Sequence, residues 1–192
     1  MKLILVITLF LSTYSLINSQ NPNIDWYSEC ESNGIVIQNS YPKGGPYMGP
    51  STNHFRPSYL VFFSRVINKT NKPFEIDLDF SSDSIPIPNS PNTYMKFFLP
   101  PETMTMEKRS LFSYGVTELK SLEESTHFEG KLNPGEDCLF YVVAIFYQTR
   151  NDIWKQERGG NRAELVLRGN DLFYKMSPQV ESLKCGRISF LK

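Results

Sequence analysis

The sequence predicts an all-β protein, a two-sheet antiparallel sandwich with at most one short helix. Short apolar runs recur along the chain, and one segment alternates strictly between apolar and acidic residues. Clusters of Gly and Pro separate these runs. Many short strands joined by such turns favour a sandwich or barrel over a parallel α/β sheet.

The first 19 residues have the features of a secretory signal peptide. Lys2 supplies a basic start, the apolar stretch 3–11 follows, and Ser19 is a small residue before the expected cleavage site. The apolar stretch is shorter than the about 20 residues that a membrane-spanning helix needs. We therefore expect a mature chain that begins at Gln20 and has no transmembrane segment. It would be secreted, periplasmic or on the cell surface.

A single β-sandwich domain is expected over residues 35–192, after a polar N-terminal segment at 20–34. The apolar run 35–37 predicts the first strand. A loop rich in Pro and Gly follows at 41–57, and long ordered loops in compact domains are often functional.

The next two strands differ in their patterns. Residues 60–67 are almost continuously apolar, which indicates a buried strand. Residues 74–80 alternate, with Glu75, Asp77 and Asp79 between apolar positions. This period of two is typical of a half-buried strand whose acidic face meets water.

Prolines bound a further strand at 93–99, and the segment after it is ambiguous. Val116, Leu119 and Leu122 fall at helical spacing within 102–127, so one short amphipathic helix is an open alternative there.

A turn at 133–136 (Asn-Pro-Gly-Glu) precedes the run 138–147, which is apolar on both faces and predicts a central strand. This turn-then-strand pattern resembles the late core strand of secreted immunoglobulin-like domains. The resemblance is architectural and implies an immunoglobulin-like sandwich. Strands at 163–167 and 172–176, joined by a turn at 169–170, and a last strand at 187–191 complete the expected fold.

The charge balance and the missing motifs exclude several classes of function. The chain has 20 basic and 20 acidic side chains, whereas nucleic acids and anionic membranes attract basic surfaces. The sequence contains no phosphate-binding glycine loop, no nucleophile elbow and no metal-binding spacing of Cys or His. We expect no cofactor, no metal, no nucleic-acid partner and no catalytic residue identifiable from the sequence.

Three cysteines in an exported chain permit one disulfide and one thiol. Cys138 opens an apolar run and is expected to pack as a small hydrophobe. A Cys30–Cys185 disulfide is therefore favoured, and the two pairings with Cys138 stay open.

The loop at 41–57 carries the candidate binding residues: Tyr41, Tyr47, His54, Phe55 and Arg56. Aromatic and Arg side chains on loops are typical of binding surfaces, and aromatic rings stack on the C–H faces of sugars. The partner would be a protein or a glycan. Alternatively, these residues fold back and cover one end of the sandwich.

Two short modification signals are present. Asn68-Lys69-Thr70 is an N-glycosylation sequon in an expected turn. Ser84, in Asp83-Ser84-Ile85, fits an O-glycosylation pattern of some exported bacterial proteins. Which signal is used depends on the export pathway.

The sequence thus favours a secreted, non-enzymatic binding or structural module of the cell envelope or extracellular space. The alternative is a secreted hydrolase, for example one acting on glycans, whose site assembles only in three dimensions. Acids such as Glu75 or Asp79, or His54, would serve such a site.

Overall fold

The computed structural model shows an all-β chain built from two antiparallel sheets, which confirms the predicted class. The structure describes residues 25–47, 55–80, 83–88, 90–117, 119, 127–148, 162–177 and 180–191. The expected signal peptide and His54 lie outside the described residues. None of the helical turns in these described ranges is long and apolar enough to cross a membrane.

The strands are numbered in chain order. They are β1 (Ser28–Ser32), β2 (Ile35–Asn39), β3 (Lys43–Pro46), β4 (Phe55–Asn68), β5 (Phe74–Asp79), β6 (Ile85–Ile87), β7 (Ser90–Phe98), β8 (His127–Leu132), β9 (Asp137–Gln148), β10 (Arg162–Arg168), β11 (Asp171–Ser177) and β12 (Val180–Phe190). Two 3₁₀ turns, Met106–Ser110 and Phe112–Gly115, lie between β7 and β8.

The first sheet has the order β1-β2-β4-β9-β7-β6, and β3 also pairs with β4. The second sheet has the order β10-β11-β12-β5-β8. In the first sheet β2 pairs with residues 64–68 of β4, whereas β3 pairs with residues 58–61. One side of β4 is therefore paired with two separate strands, and the break between them lies opposite Phe62 and Phe63.

One core lies between the two sheets. Phe62 of β4 and Val142 of β9 meet Ile76 of β5 and Tyr174 of β11 in one buried cluster. Strand β5 has the predicted alternation, with its apolar residues buried and its acidic residues exposed. The acidic face of this strand meets water, as predicted.

The outer face of the first sheet is buried as well. Val61 and Phe63 of β4 and Val143 and Ile145 of β9 are at most 1% exposed and belong to a second apolar cluster. Residues from the segment 99–117 cover this face, among them Tyr114. The two-sided apolar character predicted for β9 is confirmed, and the first sheet has a layer on each side.

Several predicted boundaries were wrong. The polar segment 20–34 contains an edge strand, β1, which pairs with β2. The loop 41–57 contains β3 and the start of β4. Most of the helical alternative left open within 102–127 lies outside the described residues, although Val116 itself is buried in extended backbone. The final strand begins at Val180, well before the predicted residue 187.

The predicted Cys30–Cys185 disulfide was wrong, because all three cysteines are free. Cys185 is buried in the core, where its thiol lies 3.6 Å from the carbonyl oxygen of Leu172, whereas Cys30 is exposed on β1. Cys30 and Cys138 are also far apart. Cys30 pairs with Ile37, Ile37 pairs with Val66, and Val66 pairs with Cys138 on successive strands. Three strand spacings of about 4.8 Å therefore separate the two cysteines. A disulfide needs Cα atoms within about 7 Å. Burial raises the pKa of Cys138 and of Cys185 to about 12, so both stay protonated thiols.

Asn39 joins the two sheets at their edges. Its amide oxygen accepts the backbone N–H of Leu165 at 2.9 Å, and its amide nitrogen donates to the carbonyl of the same residue at 3.2 Å. The side chain thus bonds to β10 as a neighbouring strand would. Because Asn39 is 3% exposed, these bonds satisfy groups that water does not reach.

Asn68, the acceptor of the sequon, is also buried. Its amide nitrogen donates to the carbonyls of Lys72 at 2.9 Å and Leu132 at 3.1 Å, and its exposed fraction is 0%. A glycan on this nitrogen would displace bonds that hold the turn after β4. Ser84, in contrast, is exposed.

Two buried tyrosines differ in whether their hydroxyls are paired, and this difference gives a stability prediction. The Tyr174 hydroxyl has no hydrogen-bond partner among the described residues, whereas the Tyr141 hydroxyl donates to the carbonyl of Tyr114 at 2.8 Å. Tyr174→Phe should raise the free energy of unfolding by about 1 kcal/mol, because an unpaired buried hydroxyl is unfavourable. Tyr141→Phe should lower it by about 1–2 kcal/mol. Urea unfolding measures both, and changes of the same sign would contradict the prediction.

Candidate functional site

A candidate site in the described part of the chain is a cleft on the outer side of the first sheet. It lies at the break between β2 and β3, and its volume is about 460 Å³. Ligand pockets commonly have volumes of about 300–1,000 Å³. The lining residues come from four parts of the chain: Asp25, Trp26, Ser40, Tyr41, Lys43, Phe63, Met106, Glu107, Arg109, Ser110 and Tyr114.

The sequence around β3 explains why the sheet edge opens here. Ser40 donates its backbone N–H to the carbonyl of Phe63, and its hydroxyl accepts the N–H of Phe63 at 2.8 Å. Tyr41 and Pro42 then leave the sheet before pairing resumes at Lys43. Gly44 allows this return, because a Cβ there would collide with the carbonyl of Tyr59.

The opposite wall is a left-handed turn in the segment that covers the sheet. Ser113, Tyr114 and Gly115 have φ angles of 46°, 55° and 79°. Left-handed backbone costs a non-glycine residue about 1–2 kcal/mol. Two consecutive non-glycine residues in this region therefore require compensating contacts from their surroundings.

Tyrosine hydroxyls supply those contacts. The Tyr59 and Ser113 hydroxyls share a hydrogen bond at 2.8 Å, and the Tyr141 hydroxyl donates to the Tyr114 carbonyl. The Tyr114 hydroxyl in turn donates to the Tyr41 carbonyl at 2.6 Å. Tyr114 is 3% exposed, and burial raises the pKa of its phenol. The turn is thus bonded to the strands below it and to the opposite side of the cleft.

Lys43 ties the two sides together. Its ammonium donates to the carbonyls of Arg109 at 2.6 Å and Leu111 at 2.9 Å, and it lies 4.2 Å from the centre of the Tyr114 ring. Burial and the nearby Arg109 guanidinium lower the pKa of Lys43. This cation holds the wall of the cleft in place and has little capacity left for a ligand.

Arg109 is the cation that a ligand can reach. Its guanidinium donates to the backbone carbonyl of Asp25 at 3.0 Å, and it forms no ion pair with any residue in the described ranges. Glu107 lies two residues earlier. A hydrogen bond from the Thr105 side chain and one from its own backbone N–H lower the pKa of the Glu107 carboxyl, which keeps it ionised.

The sequence-predicted binding residues separate in the structure. Tyr41 is 47% exposed and lines the cleft, whereas Tyr47 is 3% exposed and packs edge-on against Tyr147. Phe55 and Arg56 belong to strand β4, and their side chains lie outside the described part of the structure.

Sequence reasoning missed Arg109 and Tyr114. Both lie in the ambiguous segment 102–127. The triplet Ser113-Tyr114-Gly115 places a small residue and a glycine on either side of a tyrosine, but this pattern does not by itself indicate a left-handed turn.

The second sheet also carries a depression, of about 440 Å³, on its exposed face. Glu75 and Asp77 lie there with Arg187, and His127 lies 3.2 Å from the Glu129 carboxylate at the same face. Within the described ranges, no group of three or more His, Cys, Asp or Glu side chains is placed to hold a metal ion. The acidic residues of β5 form a solvated surface.

Comparison with models of protein families and with curated proteins gave no match to this chain.

The Lys43 bonds give a prediction about the wall of the cleft. Lys43→Met should lower the free energy of unfolding by about 1–3 kcal/mol, because two carbonyls lose a charged donor. Amide hydrogen exchange over residues 106–115 should become faster in this variant. Lys69→Met is the matched control, since Lys69 forms an exposed ion pair with Glu31 that is worth less than about 1 kcal/mol. Equal effects of the two substitutions would contradict the prediction.

Proposed function

We propose that this protein is a non-enzymatic binding module that recognises another macromolecule through the outer side of its first sheet. The observation that carries the proposal is the placement of exposed apolar side chains. In the described part of the chain, four large apolar residues are exposed: Tyr41, Leu111, Phe112 and Phe190. The first three lie on the segments that frame the cleft, and Phe112 is 75% exposed.

The rigidity of the turn supports this proposal. Leu111 and Phe112 immediately precede the left-handed residues, and the Leu111 carbonyl accepts from Lys43. The backbone that presents them is thus bonded to β3 and to the sheet. Apolar side chains held in water on an anchored turn are typical of interaction sites, since the turn loses little entropy on binding.

Binding is favoured over hydrolysis by the electrostatic environment of Glu107. A general acid needs a pKa raised toward neutrality, as burial in an apolar pocket provides. The pKa of Glu107 is lowered. Glu107 is therefore poorly suited to serve as the general acid of a secreted hydrolase.

We further propose that the chain is exported and cleaved after Ser19, as its first 19 residues suggest. N-terminal sequencing of the mature protein should then begin at Gln20. The sandwich would be immunoglobulin-like in architecture. In its support, the chain crosses between the sheets repeatedly, as after β4, β7 and β9. Superposition of an experimental structure on immunoglobulin domains would test this.

The exposed turn provides the test of binding. The variant with both Leu111→Ser and Phe112→Ser should lose at least about tenfold in binding, as expected when central apolar anchors are removed. The ligands are cell-wall polysaccharide and extracted surface proteins of the producing organism, measured by co-sedimentation and quantitative pull-down. Phe190→Ser is the matched control, because Phe190 is 40% exposed but lies on the second sheet. Binding that is equal in wild type and both variants would refute the proposal.

A further inference from the structure

The lining of the cleft is chemically mixed. Its apolar part consists of aromatic rings and one methionine: Trp26, Tyr41, Phe63 and Met106. Its polar part includes two carboxylates, a guanidinium and a hydroxyl: Asp25, Glu107, Arg109 and Ser110. A ligand that fills the cleft must therefore offer an apolar face and several hydrogen-bonding groups at once.

The charges in the cleft balance. Asp25 and Glu107 are acidic, and Lys43 and Arg109 are basic. A phosphate or sulfate would meet two carboxylates, and the Lys43 ammonium is already bonded to two carbonyls. A purely apolar ligand would strip water from Arg109 and both carboxylates without replacing their hydrogen bonds, which is unfavourable. The balance favours a ligand that is neutral and polar.

We propose that the cleft binds a neutral saccharide, with a pyranose ring against Trp26 or Tyr41 and its hydroxyls toward Asp25, Glu107 and Arg109. This inference rests on the proposed binding function and names its ligand class. A pyranose ring carries C–H groups on its faces, which pack against aromatic rings, and hydroxyls around its rim. Each hydroxyl both donates and accepts, so a carboxylate accepts a hydrogen bond from it while a guanidinium donates one to its oxygen.

The geometry of the aromatic residues fits this use. Trp26 is half-buried and packs edge-on against Phe63, with ring centres 5.4 Å apart. Tyr41 packs edge-on against Tyr27 at 5.6 Å. Each ring is thus held in place by a neighbouring ring, so a ligand meets side chains that are already ordered.

The bonded turn gives the cleft its shape in the absence of a ligand. Lys43 and Tyr114 bond the two sides of the cleft to each other, so its width is set by the fold. Saccharides gain little free energy for each contact, and a site that needs no rearrangement therefore favours their binding.

Fluorescence of Trp26 provides the direct test. The chain has two tryptophans, so Trp154→Phe leaves Trp26 as the single reporter. The purified protein with this substitution is titrated with cellohexaose, mannohexaose, xylohexaose and chitohexaose, and with hexagalacturonate as the acidic probe. At least one neutral oligosaccharide should give a saturable change that isothermal calorimetry reproduces. Hexagalacturonate should bind more weakly than that sugar.

Variants of the polar residues that line the cleft locate the binding. Arg109→Met and Glu107→Gln should each weaken binding at least about tenfold, because each removes a charged hydrogen-bonding group. Glu107 is exposed, so its substitution leaves the fold intact even if Arg109→Met loosens the N-terminal segment. Arg187→Met is the matched control, since it lines the similar depression on the second sheet. Binding that survives both cleft substitutions would overturn the inference.

The remaining outcomes separate this inference from the proposed function. If none of the sugars binds but surface-protein capture still depends on Leu111 and Phe112, the saccharide inference falls and the binding function stands. Tighter binding of hexagalacturonate would overturn the neutral class. Cleavage of any hexasaccharide, detected by mass spectrometry, would overturn the non-enzymatic function itself.

Discussion

The central constraint on this fold is that the paired strands β4 and β9 are apolar on both faces. Val142 and Val143 are neighbours that point to opposite sides of β9, and they are 1% and 0% exposed. A sheet with two apolar faces needs a layer on each side, because each exposed face would cost about 25 cal/mol for every Å² of apolar surface in water. The second sheet provides one layer, and the segment 99–117 provides the other.

The outer layer explains the strain and the cleft together. An irregular segment that lies on a sheet must still pair its buried polar groups, and tyrosine hydroxyls on β4 and β9 meet this need. Tyr59 and Tyr141 bond to the residues of the left-handed turn, and they offset the cost of its conformation. Where the covering segment meets the split edge between β2 and β3, the layer is incomplete. The proposed binding cleft is that gap, and Lys43 fixes its width.

The sequence predicted those features that depend on local pattern. The alternation of β5 and the continuous apolar run of β9 arise from neighbouring residues, so both strands were predictable. The outer layer was not predictable, because the position of Tyr114 depends on hydrogen bonds with Tyr141 and Tyr41, which are 27 and 73 residues away in sequence. The prediction of a Cys30–Cys185 disulfide was wrong for the same reason, since the position of a cysteine along the chain does not show which sheet it joins. Tyr41 was predictable as an exposed aromatic in a Pro- and Gly-rich loop, whereas Arg109 became a site residue only through the path of the covering segment.

The two-sided burial of β9 is tested most directly by equivalent substitutions on its two faces. Val142→Thr and Val143→Thr each keep the shape of the side chain and place a hydroxyl on one face of the strand. If both faces are covered, each variant should lose about 1–3 kcal/mol of unfolding free energy in urea titrations, as a buried hydroxyl without a suitable partner costs. A loss for Val142→Thr with none for Val143→Thr would show that the outer face meets water, and it would contradict this account of the fold and of its cleft.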